Sequence, residues 1–348
     1  MKSFNPILLK LVRQSLGESQ KEFAERVFGI KQAILSKYEN GVIVPPVSAM
    51  AQLADGTGYP QEFFFQEVSE LPSGLVFHRK RNSLSARLRE RIESEVRLRA
   101  LDILMACKAT ERHSYLPERG SLTPEQMAQS LRMMWGMEEG PIPNLVALLE
   151  QHNIVILKFD FGTELLDAFF LPLPSQVVCI ALNAAPVFSA DRQRFSLAHE
   201  LGHVLLHQEQ IPEESLEKEA NDFAAEFLFP TISARKEAER GISLMRLKEL
   251  KGKWQISMQA ILFRWHKLGL IEDKYYRRFC VFFSSQGYRK QEPSCGIKEE
   301  SPTLLIRLMR EYLDKGNASP QAILCLSESQ FLARYPEIAT EERLFMST

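Results

Sequence analysis

The sequence predicts a mainly α protein with one small β-sheet, an α+β arrangement. Three observations carry this reading. Apolar residues recur at helical spacing over most of the 348 residues, and short β-branched runs cluster between Ile154 and Leu182. An apolar helical stretch, Arg194 to His207, follows them and contains His199-Glu200-x-x-His203. The length suffices for two or three domains. We expect boundaries at 1–68 (a five-helix bundle), 69–120 (a basic linker and long helix), 121–290 (the unit with the sheet and the two histidines) and 291–348 (a helical extension).

Composition narrows the class. With 45% hydrophobic and 25% charged residues the chain is that of an ordinary globular protein. A net charge of −1 gives no whole-chain attraction to nucleic acid, so only local patches could supply it. The five cysteines (107, 179, 280, 295, 325) are dispersed without a C-x-x-C pair, which reads as reduced thiols. The apolar runs of Met1 to Gln20 are broken by Lys10 and Arg13, unlike a signal peptide. No stretch approaches the ~18 apolar residues of a membrane span. A cytoplasmic protein without a membrane partner is expected.

Taken in order, Leu8, Leu9, Leu11, Val12 and Leu16 mark a first helix. Ser19-Gln20-Lys21-Glu22 has the form of a capping box and starts a second. After a turn at Phe28-Gly29, a third helix runs from Lys31 to Glu39 and stops at Asn40-Gly41. A fourth spans about 48–54, and a fifth opens at Pro60. Two helices about a tight turn suggest a helix-turn-helix. Ser-Gln-Lys-Glu-Phe-Ala-Glu-Arg-Val followed by Ile-Leu-Ser-Lys-Tyr-Glu-Asn-Gly resembles the XRE/Cro-type repressor domain over residues 5–67. The turn at Phe28-Gly29 is one residue longer than usual. The resemblance implies that the third helix enters the major groove of a double-stranded DNA operator. Lys31, Gln32 and Ser36 would then face bases, and Gln20 and Lys37 would hold phosphates. A homodimer is expected.

Residues 1–68 carry seven basic and seven acidic side chains, so the bundle is neutral. From Val76 to Arg99, eight Arg or Lys stand against three Glu, a surplus of five. That run reads either as a solvated helix with i,i+4 ion pairs, the better reading, or as additional phosphate contact. Leu71-Pro72-Ser73-Gly74 before it is a linker.

A long helix is predicted over 84–109. Thr123-Pro124 caps another, reaching about Trp135, and 141–151 forms a third. Ile154–Leu157, Ala168–Leu171 and Gln176–Leu182 read as strands. The first two are expected to pair, with Val177–Leu182 the edge along which an extended peptide could lie. Helices return at 243–251 and 257–268. Gln291 to Gly296 reads as a linker, and Leu304–Leu313 and Ala322–Leu326 as helices of the extension.

The chemistry concentrates in the run from Arg194 to His207. On a helix, His199 and His203 share one face and can converge on one ion, with Glu200 beside them. Zinc accepts neutral imidazoles and keeps a position open for water, from which a carboxylate can take a proton. A third ligand is sought in the helix 217–229, where Glu217, Glu219, Asp222 and Glu226 line the polar side. We select Glu219, with Asp222 orienting a ligand. His207, one turn past His203, is assigned to the surround of the site.

The Arg-Phe-Ser-Leu-Ala-His-Glu-Leu-Gly-His-Val-Leu-Leu-His and Glu-Ala-Asn-Asp-Phe-Ala-Ala-Glu-Phe-Leu-Phe-Pro runs resemble the ImmA/IrrE family of zinc-dependent endopeptidases, over roughly 140–290. The resemblance implies a zincin-like domain with His199, His203 and Glu219 on Zn²⁺ and Glu200 as base; Mn²⁺ suits these ligands less well. It also implies a protein substrate, a repressor or the chain itself, cleaved to switch gene expression. The competing reading is a non-catalytic, antitoxin-like transcription factor whose metal domain senses a ligand or dimerises.

Overall fold

Asn5 caps the first helix, α1 (Pro6–Ser15), by accepting from the Ile7 N–H, and Ser19 and Glu22 close the expected capping box at the next, α2 (Gln20–Phe23). The computed structural model describes residues 3–67, 84–137, 139–174, 176–207, 213–316 and 324–335. The expected linker Leu71–Gly74, the first part of the basic run and the Ala322 helix start lie outside the described residues.

α2 does not end at Phe23 but widens into a π turn over Ala24–Phe28, closed by Gly29 in the left-handed region at φ 64°. A π turn accommodates one more residue per turn than an α-helix. The extra residue seen in the sequence is therefore absorbed inside the second helix, and the third, α3 (Gln32–Glu39), keeps its exposed face. α4 (Val47–Thr57) and a 3₁₀ turn (Gln61–Phe65) complete the bundle. The buried Arg13–Glu39 pair, 2.5 Å between Nε and Oε1, locks α1 to the end of α3.

α1 lies along the long helix α5 (Ala86–Ala109). Within the described part of the basic run, Arg87, Arg91 and Arg99 are engaged by the protein. Arg87 meets Glu22 at 3.0 Å and the Gly17 carbonyl, Arg91 donates to the Phe161 carbonyl, and Arg99 pairs with Glu95 at 2.9 Å. Arg87 thereby fastens α5 to the bundle and Arg91 ties it to Phe161, while Arg99–Glu95 is an i,i+4 pair of the kind the ion-pair reading anticipates.

Two further helices, α6 (Pro124–Met134) and α7 (Leu145–Gln151), precede the sheet. Its strands are β1 (Ile154–Phe159), β2 (Ala168–Leu173) and β3 (Val177–Asn183), in the order β1-β3-β2. β1 runs parallel to β3 and β2 antiparallel to it. Two expectations are corrected here: β2 pairs with β3 and not with β1, and Val177–Leu182 is the central strand, not an edge. The uninterrupted Ile154-Val155-Ile156-Leu157 run has the physical cause usual for a strand covered on both faces. Val155, Leu157, Phe169, Leu171, Cys179 and Ala181 point into a core shared with the bundle and α5. Ile154, Ile156, Phe170, Ile180 and Leu182 point into a second core, beneath the helices that follow.

Those helices are α8 (Ala190–Leu206), α9 (Glu213–Leu228), α10 (Thr231–Ala238), α11 (Leu244–Trp254), α12 (Met258–Lys267) and α13 (Asp273–Ser285). The segment formed by the expected linker, Gln291 to Gly296, and the residues that follow it to Glu300 is tied down by acids set against cations of the folded domain. Glu292 pairs with Lys251 at 2.9 Å, Glu299 with Lys158 at 2.6 Å, and Glu300 with Arg194. It delivers α14 (Leu304–Gly316), whose first N–H groups are capped by Glu150, to the core that contains the bundle. The last described helix, Glu328–Arg334, reaches the bundle itself: Arg334 donates to Asp102 and to the Tyr59 hydroxyl, both at 2.6 Å.

Candidate metal centre and nucleic-acid interface

α8 is mostly apolar because it is buried: Leu197, Ala198, Leu201 and Leu205 pack under the sheet and α9. Burial makes its polar residues informative, since a buried imidazole or carboxylate without partners is costly. α9 crosses α8 where Gly202 meets Ala220, and this crossing sets Glu217 and Asn221 opposite the histidines.

The Nε2 atoms of His199 and His203 lie 3.0 Å apart. Each is 3.6 Å from a Glu217 carboxylate oxygen, His199 from Oε2 and His203 from Oε1. These three side chains form a group able to hold a metal ion. The Nδ1 atom of His199 lies 3.1 Å from Asn221 Oδ1, which can only accept. With Asn221 accepting, the His199 proton is on Nδ1 and a lone pair at Nε2 is turned toward Glu217. The Nδ1 atoms of His203 and His207 lie 2.8 Å apart. With the shared proton on His203, its Nε2 is also a bare lone pair, and His207 turns Nε2–H toward Glu219, 3.5 Å away. Arg119 closes that chain at 2.9 Å from Glu219 and also donates to the Leu206 carbonyl.

Glu200, buried beside His199, accepts from the Phe170 N–H of β2 at 3.1 Å. That N–H points away from β3, so β2 presents its outer edge to the carboxylate. The side chain of Asn183, buried at the end of β3, donates to the Thr163 and Leu166 carbonyls and holds the loop entering β2.

At the other end of the molecule, Lys31, Gln32 and Lys37 of α3 are exposed, while Leu35, Tyr38 and Glu39 are buried. Gln20 is oriented from both sides: its amide nitrogen donates to Glu39 at 2.8 Å, and its oxygen accepts from Gln32 at 3.3 Å. Ser36 accepts from Asn40 at 3.2 Å.

Residues 149–266 match the family described as the IrrE N-terminal-like domain, and residues 9–63 match the helix-turn-helix family. The chain joins a DNA-binding helix-turn-helix domain to a metallopeptidase-like domain. No curated protein matches it.

Within the IrrE-like domain the geometry redistributes the acids chosen from sequence. Glu219 is not beside the two Nε2 atoms; it faces His207 and Arg119. Glu217, two residues earlier and so turned well away on the helix, takes the place beside them. Asp222 does not reach an imidazole either: Lys218 at 2.9 Å and Lys267 hold it. Its carboxyl stays below the usual range, because hydrogen bonds from the two lysines outweigh the upward push of burial. The residue oriented on His199 is Asn221, which the sequence reading passed over. Apart from this group, the half-buried His266 stacks on Tyr276 and lies 2.6 Å from Asp273.

The donor set suits zinc: two neutral imidazole nitrogens and one carboxylate. Tetrahedral ligands at the usual Zn–N length would stand about 3.3 Å apart, close to the 3.0 Å between the two Nε2 atoms.

Proposed function

We propose that the chain is a transcriptional regulator whose IrrE-like domain is a zinc endopeptidase, with His199, His203 and Glu217 as metal ligands. The observation that carries this reading is the convergence of two Nε2 atoms and the Glu217 carboxylate, with the buried Glu200 alongside. Zinc in such a set supplies Lewis acidity and brings the pKa of water toward ~7. Every other step belongs to the protein. Glu200 accepts a proton from water and returns it to the leaving nitrogen. The Phe170 N–H fixes the orientation of its carboxylate. Asn221 and the His207–Glu219–Arg119 chain hold the two ligand rings. An extended segment of the protein substrate lies along β2, the strand that faces Glu200.

The helix-turn-helix domain holds the chain on an operator, and cleavage of a repressor-type protein, or of the chain itself, switches transcription. Replacing Glu200 by Gln tests this. Zinc content and operator affinity should stay at wild-type values, while cleavage of the protein encoded or regulated beside the operator disappears. A regulatory response that persists unchanged in the Glu200→Gln protein would assign the metal domain to sensing or dimerisation instead.

A further inference from the structure

Beside the metal group a groove of about 870 Å³ opens between α9 and α12. Phe195, Glu217 and Asn221 line its near end, so it is continuous with the candidate centre: Glu217 belongs to both. Its far end is apolar, formed by Leu228, Phe229, Ile256 and Phe263. From Glu217 to Leu228 along α9 the groove runs eleven residues, about 16 Å of helix. That length matches roughly five residues of extended chain.

Three features mark the groove as a recognition element. Its walls carry alanines, Ala225 on α9 and Ala260 on α12, which leave it open where larger side chains would fill it. Phe263, one of the residues lining the groove, is 54% exposed. At the near end Lys218 and Lys267 share the single carboxylate of Asp222, and Glu217, the other acid lining this end, belongs to the metal group. Deeper in, Arg264 is neutralised by buried Glu226.

We infer that this groove reads the substrate: it takes an extended segment next to the scissile bond, an acidic residue on the Lys218/Lys267 rim and a bulky apolar side chain against Phe263 and Ile256. The inference rests on the endopeptidase reading for its occupant. An apolar side chain leaves water against the groove floor, and an acid meets the Lys218 and Lys267 ammonium groups. Both contacts lie a few residues from the bond cut, so they bind substrate without touching the reacting atoms.

Binding to the zinc-loaded, full-length Glu200→Gln protein separates this inference from the activity. A phage-displayed random dodecapeptide library should yield peptides with a bulky apolar residue within about five positions of an Asp or Glu. A synthetic peptide of that kind should bind at least tenfold more weakly when Ala260→Phe fills the groove, and also when Phe263→Ala removes its exposed wall. Selection against a Lys267→Ala background should lose the acidic preference and keep the apolar one. The inference is overturned if no peptide class is enriched over bare support, or if the enriched peptides bind the Ala260→Phe protein as well as its parent. If peptides bind the groove but the wild-type chain leaves them intact, the endopeptidase reading fails alone.

Discussion

Gly202 passes Ala220 so closely that a Cβ on the glycine would stand 3.2 Å from the alanine Cα and 3.3 Å from its carbonyl oxygen. Both are backbone atoms, which cannot rotate away. In an exposed helix, replacing Gly by Ala gains up to about 1 kcal/mol. Here the sign should reverse. Gly202→Val should destabilise the protein by roughly 1–3 kcal/mol, because α8 and α9 must separate. Separation also draws Glu217 and Asn221 away from the imidazoles, so zinc affinity should fall by about 10–100-fold. Urea unfolding and competition with a chromogenic chelator measure the two effects. A Gly202→Val protein with wild-type zinc affinity would mean that this crossing does not position the site.

Glu217 and Glu219 differ in what they face, and their amides should differ accordingly. Glu217→Gln removes the carboxylate nearest the two Nε2 atoms, and the protein should emerge from dialysis with little zinc. Glu219→Gln leaves that carboxylate and weakens only the His207–Arg119 chain, so it should retain about one equivalent at micromolar zinc, with affinity lowered by about 10–100-fold. Asn221→Ala, which frees the His199 ring, should fall in the same range. Elemental analysis of the three proteins settles the order. Full zinc in Glu217→Gln together with none in Glu219→Gln would restore the assignment made from sequence.

This pair also indicates how far the site is legible in the sequence. His199 and His203 are found by spacing alone, since four residues on a helix fix a common face. The acid is not, because Glu217 and Glu219 flank the apolar face of α9 on opposite sides, and only the rotation of α9 about its contact with Gly202 decides between them. Glycine inside the His199–His203 run was the available signal, for it marks where a second helix approaches. The sheet gives a similar lesson. Its three strands are evident from β-branched runs, but their order depends on the crossover between β1 and β3, which local pattern does not encode. The unbroken apolar character of Val177–Leu182 reflects a strand covered on both faces, which leaves its neighbours within the sheet unspecified. Gln291 to Gly296 read as a linker because the partners of the acidic strap it opens, Lys251, Lys158 and Arg194, are distant in sequence.

On the DNA side, Gln32 and Lys37 make separable predictions. Gln32 lies at the start of α3, exposed and held by Gln20. If it reads a base, Gln32→Ala should cost roughly 1–3 kcal/mol on the operator and relax preference at one position. Lys37→Ala should weaken binding to all sequences alike and lower the slope of log K against log salt by about 0.9, one phosphate contact. Fluorescence anisotropy between about 50 and 200 mM salt distinguishes the two. An unchanged slope for Lys37→Ala would remove that side chain from the interface.

The anchoring of α8 predicts an acid limit. Asp191, in its first turn, is buried and lies 2.8 Å from buried Lys251. Burial alone would raise the Asp191 carboxyl; hydrogen bonds from Lys251 and Ser189, with the lysine charge, outweigh it and hold the group below its usual value. Lys251 is displaced upward, its hydrogen bonds to the Asp191 and Glu292 carboxylates overcoming the cost of its own burial. A carboxyl depressed on folding contributes stability above about pH 4, which is lost as pH falls through its lower folded value. A raised lysine contributes below about pH 10.4, and that part is lost only as pH rises through the folded value. The pair should therefore hold across neutral pH and fail first on the acid side. Lys251→Met leaves two buried carboxylates without their cation and should cost roughly 3–5 kcal/mol at pH 7. The deficit should narrow below pH 4, where those carboxylates take up protons. Urea unfolding of both proteins at pH 7 and pH 3 measures it, and an equal deficit at the two values would show that the ion pair is not what secures the start of α8.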